Sequence, residues 1–229
     1  MFRMTIVMTV GTLVVTSTLR ATADGPTANS EAISRFLQSD RPALTSYRAR
    51  RHLEASTLGG KISASLDAWT TLASDGSFNF EIITESGSEL IRGRVLRAAL
   101  MEEQRARQAK ELDAAALTPT NYELRTGGST DNLLRIELTP RRRSQMLIVG
   151  AVLVTPDDAD LVRVEGSLAR RPSFWTRQVD IARRYARIAG VRVPVEMRSR
   201  ADVRIVGEST FAMTYDYASI NGRPLDEAH

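Results

Sequence analysis

His52 stands two residues before Glu54 in "YRARRHLEA", and an imidazole beside a carboxylate is a pairing that general-base chemistry can use. Its surroundings point elsewhere. Arg50 and Arg51 flank it in an alternating pattern, so His52 reads as a solvent-facing strand residue. "TPDDAD" offers Asp157, Asp158 and Asp160, oxygen ligands of the kind a calcium ion takes. It lacks the extended ligand series of a calcium-binding loop, and the favoured reading is a solvated turn. The chain contains no cysteine, which excludes disulfides, thiolate metal sites, cysteine nucleophiles and a lipid anchor on cysteine. The other histidine is the terminal His229, so a zinc site built from histidines is not expected. No G-x-S-x-G elbow, phosphate-binding loop or G-x-G-x-x-G turn occurs. The expectation is a protein that is not an enzyme, with no metal and no cofactor.

A second constellation is "RRPSFWTRQVDIARRY", residues 170–185, where arginines interleave with Phe174, Trp175 and Tyr185. That mixture can grip nucleic acid. Residues 161–205 carry 11 arginines against four acids, Glu165, Asp180, Glu196 and Asp202. Yet Arg177, Arg183 and Arg187 share a parity with Tyr185 while Arg184 takes the other, so no single basic stripe runs along the strand. The plain alternative is a solvated strand face.

The elements that position these groups emerge from composition and period. Hydrophobic residues make up 42% and charged residues 25% of 229 residues, ordinary values for a folded protein. The formal net charge is +4. The N-terminus has Arg3, an apolar stretch Met4–Leu19, and Ala21-Thr22-Ala23, the order of a secretory signal peptide cleaved after Ala23. A retained membrane anchor is the alternative, but the stretch is short of the roughly 20 apolar residues a span takes. Removing residues 1–23 takes away Arg3 and Arg20 and no acid, leaving a net +2. Export makes nucleic acid an unsuitable client. Lipid head-group phosphates or an acidic protein partner fit the compartment better.

Ile33, Phe36 and Leu37 lie at helical spacing, with Ser30 as N-cap. From Leu44 the period becomes two. Tyr47, Ala49, Arg51, Leu53 and Ala55 share one side of a strand; Ile62, Ala64, Leu66 and Ala68 share one side of the next. An Asp-Gly turn at 74–77 returns the chain through Phe78, Phe80 and Ile82. Residues 86–112 interrupt the strands with a helix. Ser86 and Glu89 stand at capping-box spacing, Ile91, Val95, Ala98 and Ala99 form its apolar stripe, and its charged second half is expected at the surface. Seven further strands come after it. The clearest runs from Val191 to Ile205, where Pro194 suggests a bulge or a local loss of pairing. Its fifteen alternating residues, at ~3.3 Å each, would span about 50 Å and imply strong twist.

The predicted fold is mainly β (α+β): a single strongly curved antiparallel sheet, an open half-barrel of about ten strands, with helices covering the concave face. Such a half-barrel suits an elongated apolar ligand. The apolar faces supply cavity candidates Leu66, Phe80, Ile82, Val195, Met197, Phe211 and Met213, with Trp175 at the cavity mouth or in the core. For each, ordinary core packing beneath a helix is the alternative.

"LTPRRRSQMLIVGAVLVTPDDADLVRVEGSL", residues 138–168, together with the leading helix, the long strands and the inserted helix, resembles the LolA-like superfamily of outer-membrane lipoprotein-sorting proteins. The resemblance covers about residues 30–222. "RRPSFW" and "RRYARIAGVRVPVEMRSRADVRIVG" mark a divergent branch. It implies a signal peptide at 1–23 and an open β-barrel domain at 24–229 whose apolar cavity takes up acyl chains. By the same resemblance the protein is a periplasmic carrier or chaperone for an acylated lipoprotein or a lipid. It would move between an inner-membrane donor and an outer-membrane acceptor, with transient membrane contact and no nucleic acid. An envelope stress sensor that recognises mislocalised lipoproteins with the same fold is the alternative. In the family's carriers an arginine of the barrel bonds the lid, and no arginine of this sequence is matched to that role.

Overall fold

The computed structural model describes residues 28–38, 42–109, 111–174, 176–204 and 207–225. The expected signal peptide and Trp175 lie outside the described residues. A helix α1 (Ala28–Leu37) leads into three antiparallel strands, β1 (Tyr47–Thr57), β2 (Ile62–Leu72) and β3 (Phe78–Gly87). Next comes one continuous helical run: α2 (Glu89–Ile91), a π-helical turn (Arg92–Arg97) and α3 (Ala98–Gln108). Seven long strands complete the sheet: β4 (Tyr122–Thr130), β5 (Leu133–Pro140), β6 (Ile148–Val154), β7 (Leu161–Leu168), β8 (Thr176–Ile188), β9 (Val191–Val203) and β10 (Gly207–Ile220). A two-residue β11 (Arg223–Pro224) pairs back on β10.

All ten long strands join one sheet in the order β3-β2-β1-β10-β9-β8-β7-β6-β5-β4. Its two outer strands do not meet, so the sheet is an open half-barrel. Neighbouring strands are consecutive in the chain everywhere except at β1–β10, where the first and last long strands pair in the middle of the sheet. The alternation that predicts each strand also decides its faces. Tyr47, Ala49, Arg51, Leu53 and Ala55 are buried while Arg48, Arg50 and Glu54 are exposed. One inner row runs across nearly the whole sheet: Leu66, Leu53, Met213, Met197, Arg183, Val164, Val152 and Ile136. At Pro194 the pairing with β8 skips a residue, as Tyr185 faces Pro194 and Arg184 faces Glu196. The expected bulge is therefore present, and Tyr217 Oη donates to the Pro194 carbonyl beside it at 2.8 Å.

The inner face holds two apolar clusters. The long helix covers the first, on β1, β2, β3, β9 and β10. The second, on β4 to β8, receives Phe36 of α1. Ile181 of β8 packs against both. Two expectations about the helices are corrected. Ser30 lies inside α1, which already runs from Ala28, and so does not cap it. Ser86 belongs to β3, where its hydroxyl bonds that of Ser65 at 2.8 Å, so no capping box forms ahead of Glu89.

The inner row next to the one above contains Gly150 and Gly166, directly opposite each other on β6 and β7. A Cβ on Gly150 would stand 2.0 Å from the Glu165 carbonyl oxygen and 2.5 Å from the Gly166 Cα, both backbone atoms that cannot swing away. Gly150→Ala should therefore cost about 1–3 kcal/mol, the scale of overpacking. A thermal melt reads it, and an unchanged melting temperature would show that the strand pair can part freely.

Candidate functional site: an apolar inner face under a pinned helix

The long helix crosses the inner face along β3, running opposite to it. Ser88 N donates to the Ser63 carbonyl at 2.9 Å at one end, and Gln104 Nε2 donates to the Phe78 carbonyl at 3.0 Å near the other. Its underside presents Ile91, Val95, Leu96, Ala99, Leu100, Glu103 and Ala106, all buried. The π-helical turn explains why this differs from the expected stripe. A wider turn puts an extra residue in the cycle, so Val95 and Leu96 both face down and the later turns rotate onto Leu100 and Glu103. Ala98 is left half-buried.

Glu103 overturns the expectation that the charged second half of this helix rides on the surface: it is 1% exposed. Its partner is Arg51 of β1, 0% exposed. Arg51 Nη1 donates to Glu103 Oε2 at 2.6 Å and Nη2 to Oε1 at 3.3 Å. Arg107, one helical turn on, donates from Nε to Glu103 Oε1 at 3.2 Å. Arg51 Nη2 also donates to the Tyr47 hydroxyl. Three rings box the guanidinium, with its Cζ 4.6 Å from the Tyr215 centroid, 5.1 Å from Phe78 and 5.8 Å from Tyr47. Such stacking recovers part of the hydration Arg51 has lost. Burial alone would raise the Glu103 carboxyl, but Arg51, by charge and hydrogen bond, and Arg107 hold it below the usual carboxylate range. Burial pushes the Tyr47 and Tyr215 hydroxyls up, so both stay neutral. On the solvent side Arg97 and Arg92 reach Glu85 of β3, which ties the helix to the sheet edge.

All seven described cavity candidates meet in the cluster beneath this helix. Leu66, Met197, Phe211 and Met213 are buried, and Phe80, Ile82 and Val195 pack against them half-covered. In this conformation the helix underside fills the space above them. The sequence reading missed Arg51 and Glu103 as site residues. Arg51 carried a signal, being the one charge on the apolar parity of β1. Glu103 carried none, since it lies in the charged stretch "MEEQRARQ", most of whose residues are exposed or half-buried.

The other sheet face carries a groove of about 830 Å³ lined by His52, Glu54, Glu165, Asp180, Glu196 and Arg198 among others. Its charges are paired across strands, with Arg135 Nη1 3.1 Å from Glu165 Oε1 and Arg184 Nη1 2.9 Å from Glu196 Oε2. Exposed pairs of this kind contribute little to stability. His52 belongs here. Its Nε2 is 3.0 Å from Glu54 Oε1 and its Nδ1 3.1 Å from Asp67 Oδ1. The bond to Glu54 and then that to Asp67 hold the imidazole above its ordinary range, favouring a cation with no lone pair for base chemistry. In the 155–160 turn, Asp160 receives Arg187 Nη2 at 2.6 Å and Arg192 Nε at 2.7 Å, so its oxygens are engaged by guanidinium groups.

No family model and no curated protein matches the sequence. Among solved structures, the chain is similar to a DUF1329 family protein from Desulfovibrio piger, at 13% identity and a TM-score of 0.41 over 87% of this chain and 92% of that one. A LolA superfamily protein from Nitrosomonas europaea gives 13% identity and a TM-score of 0.41 over 88% and 96%. A domain from Vibrio parahaemolyticus, described as belonging to an outer membrane lipoprotein-sorting protein, gives 9% identity and a TM-score of 0.44 over 87% and 94%.

Proposed function

We propose that the protein is a periplasmic carrier that holds the acyl chains of a lipoprotein or lipid between the inner face of the sheet and the long helix, for transfer towards the outer membrane. The observation that supports this reading is the helix itself, laid over a broad apolar surface and fastened towards its C-terminal end by a buried ion pair. A helix meant to stay down would be better fastened by alkyl groups. Burying two charges costs several kcal/mol per ion before their attraction is counted, so the Arg51–Glu103 pair holds the helix with little net gain. Lifting the helix rehydrates both ions and offsets part of the apolar surface uncovered. An acyl chain entering beneath it then replaces the alkyl contacts of Val95, Leu96 and Leu100, at about 0.8 kcal/mol per buried CH₂. Met197 and Met213 suit such an exchange, because unbranched thioethers adapt to different shapes. The residues proposed to meet the chain are Leu66, Phe80, Ile82, Val195, Met197, Phe211 and Met213, with Trp175 at the mouth. The proposed activity is binding and transfer alone.

Mass spectrometry of the mature protein, purified without detergent, should find co-purified lipid, and a fluorescent fatty acyl probe should be taken up saturably. Empty protein that takes up no probe would leave only a sheet whose interior is filled by its own side chains.

A further inference from the structure

The turns at the two rims of the sheet differ in the charged residues they contain. At one rim lie the connections after β1, β9, β7 and β5, side by side in the order set by the strand pairing, with described residues 58–61, 204, 169–174 and 141–147. These turns contain seven cations and no acid: Lys61, Arg204, the pair Arg170 and Arg171, and the run 141–143. At the other rim the turns 73–77, 131–132, 155–160, 189–190 and 221–222 contain five aspartates and no cation. Adjacent turns on a rim are two strands apart, about 10 Å, so the basic rim extends over roughly 30 Å.

The basic rim also bears apolar tips. Phe174 is 71% exposed, with the Arg204 guanidinium 4.5 Å from its ring centroid. Leu58 and Ile62, at the β1–β2 turn, are exposed as well, and Leu58 holds a left-handed φ of 54°. The turns are tied to one another. Gln145 Nε2 reaches the Arg171 and Pro172 carbonyls at 3.4 Å, linking β5–β6 to β7–β8, and Arg204 over Phe174 links that turn to β9–β10. Acids near these turns include Asp202, paired with Arg177 at 3.4 Å, Glu208, paired with Arg200 at 3.3 Å, and Glu89, at the start of the long helix.

We infer that this rim docks the protein on a lipid bilayer bearing anionic head groups, with Phe174 entering the interface and Arg143, Arg170, Arg171, Arg204 and Lys61 meeting head-group phosphates. Three features fit a bilayer. The cations lie in a row at turn tips, not in a recess. Exposed apolar side chains accompany them, as at surfaces that enter the interfacial layer. At the far end the turn aspartates Asp131, Asp158 and Asp160 are paired with Arg163, Arg187 and Arg192, so the cation-rich rim is the one drawn to an anionic surface. The inference concerns a surface outside the acyl-binding reading and stands without it.

Vesicle flotation with the mature protein tests it, using phosphatidylcholine vesicles with and without phosphatidylglycerol. Binding is expected on the anionic vesicles, at least tenfold weaker on the neutral ones, and largely released at 1 M salt, where the screening length falls to about 3 Å. A basic residue near an anionic surface is worth about 1 kcal/mol, or about fivefold in affinity. The triple variant Arg143→Ala/Arg170→Ala/Arg171→Ala should therefore lose about a hundredfold. Phe174→Ala should lose about tenfold through its forfeited apolar burial. The corresponding triple Lys variant keeps the charge and should bind like the wild type, and Asp75→Asn/Asp131→Asn at the other rim should bind no more weakly. Acyl-probe uptake should be unchanged in all of them. Equal binding to neutral vesicles, no binding to anionic ones, or a triple Ala variant that binds like the wild type would each overturn the inference.

Discussion

Glu103→Ala is expected to lower the stability of the protein by about 3–5 kcal/mol, because it leaves the Arg51 guanidinium buried without its carboxylate. Domains have only about 5–15 kcal/mol in total, so the variant should melt roughly 10 °C lower and sit near the edge of folding. The Arg51→Leu/Glu103→Leu variant should behave in the opposite way. Both charges leave together, the desolvation cost of the pair disappears, and alkyl groups fill the space between β1 and α3. Replacing a buried pair in this way is commonly neutral or stabilising. The two variants also separate fastening from function. If the helix must lift for an acyl chain to enter, the double Leu variant should fold well and take up probe slowly, while the milder Glu103→Gln should take it up faster than the wild type. Thermal melts and probe kinetics on the same preparations read both effects. Single and double variants that all melt with the wild type would show that the pair does not hold the helix.

Acid should act on the same pair. In the folded protein Glu103 is held below the ordinary carboxylate range; in the unfolded chain it returns to about 4.3. A lowered folded value means the unfolded state binds the proton more readily. The stabilisation is thus fully present above about pH 4.3 and is lost as the pH falls through the folded value, because protonation then leaves Arg51 facing a neutral acid. The wild type should lose stability over that acidic window, beyond what its exposed carboxylates contribute. Glu103→Gln should start lower at neutral pH and fall less steeply. Melting temperatures from pH 7 down to pH 3 decide the matter, and parallel curves for the two proteins would remove Glu103 from the acid response.

Much of the fold was legible because a strand's side-chain period is a local property. Covalent geometry sends successive side chains to opposite faces, so "YRARRHLEA" reveals which of its residues turn inward whatever they meet there. Seven of the eight cavity candidates came from that parity, and the structure brings those seven into one cluster. Pro194 announced a bulge through its missing N–H, again a local fact. The helix was legible as a helix but not in phase. The π-helical turn at Arg92–Arg97 rotates α3 about its axis, and the choice of that turn is made by the fit against β1 and β2, which no helical period encodes.

Composition and order within the chain determined the strands, their faces, the turns between them, and the arginines of 141–143 and 170–171. Tertiary structure decided which turns share a rim. An antiparallel order sends alternate connections to opposite ends, and only that order separates seven cations from five aspartates. It also decided that Arg51 and Glu103, 52 residues apart, should meet out of water. A charge in a helical run of charges is a surface residue by every local measure. It becomes a buried one when the strand beneath supplies a guanidinium that rings from β1, β3 and β10 enclose.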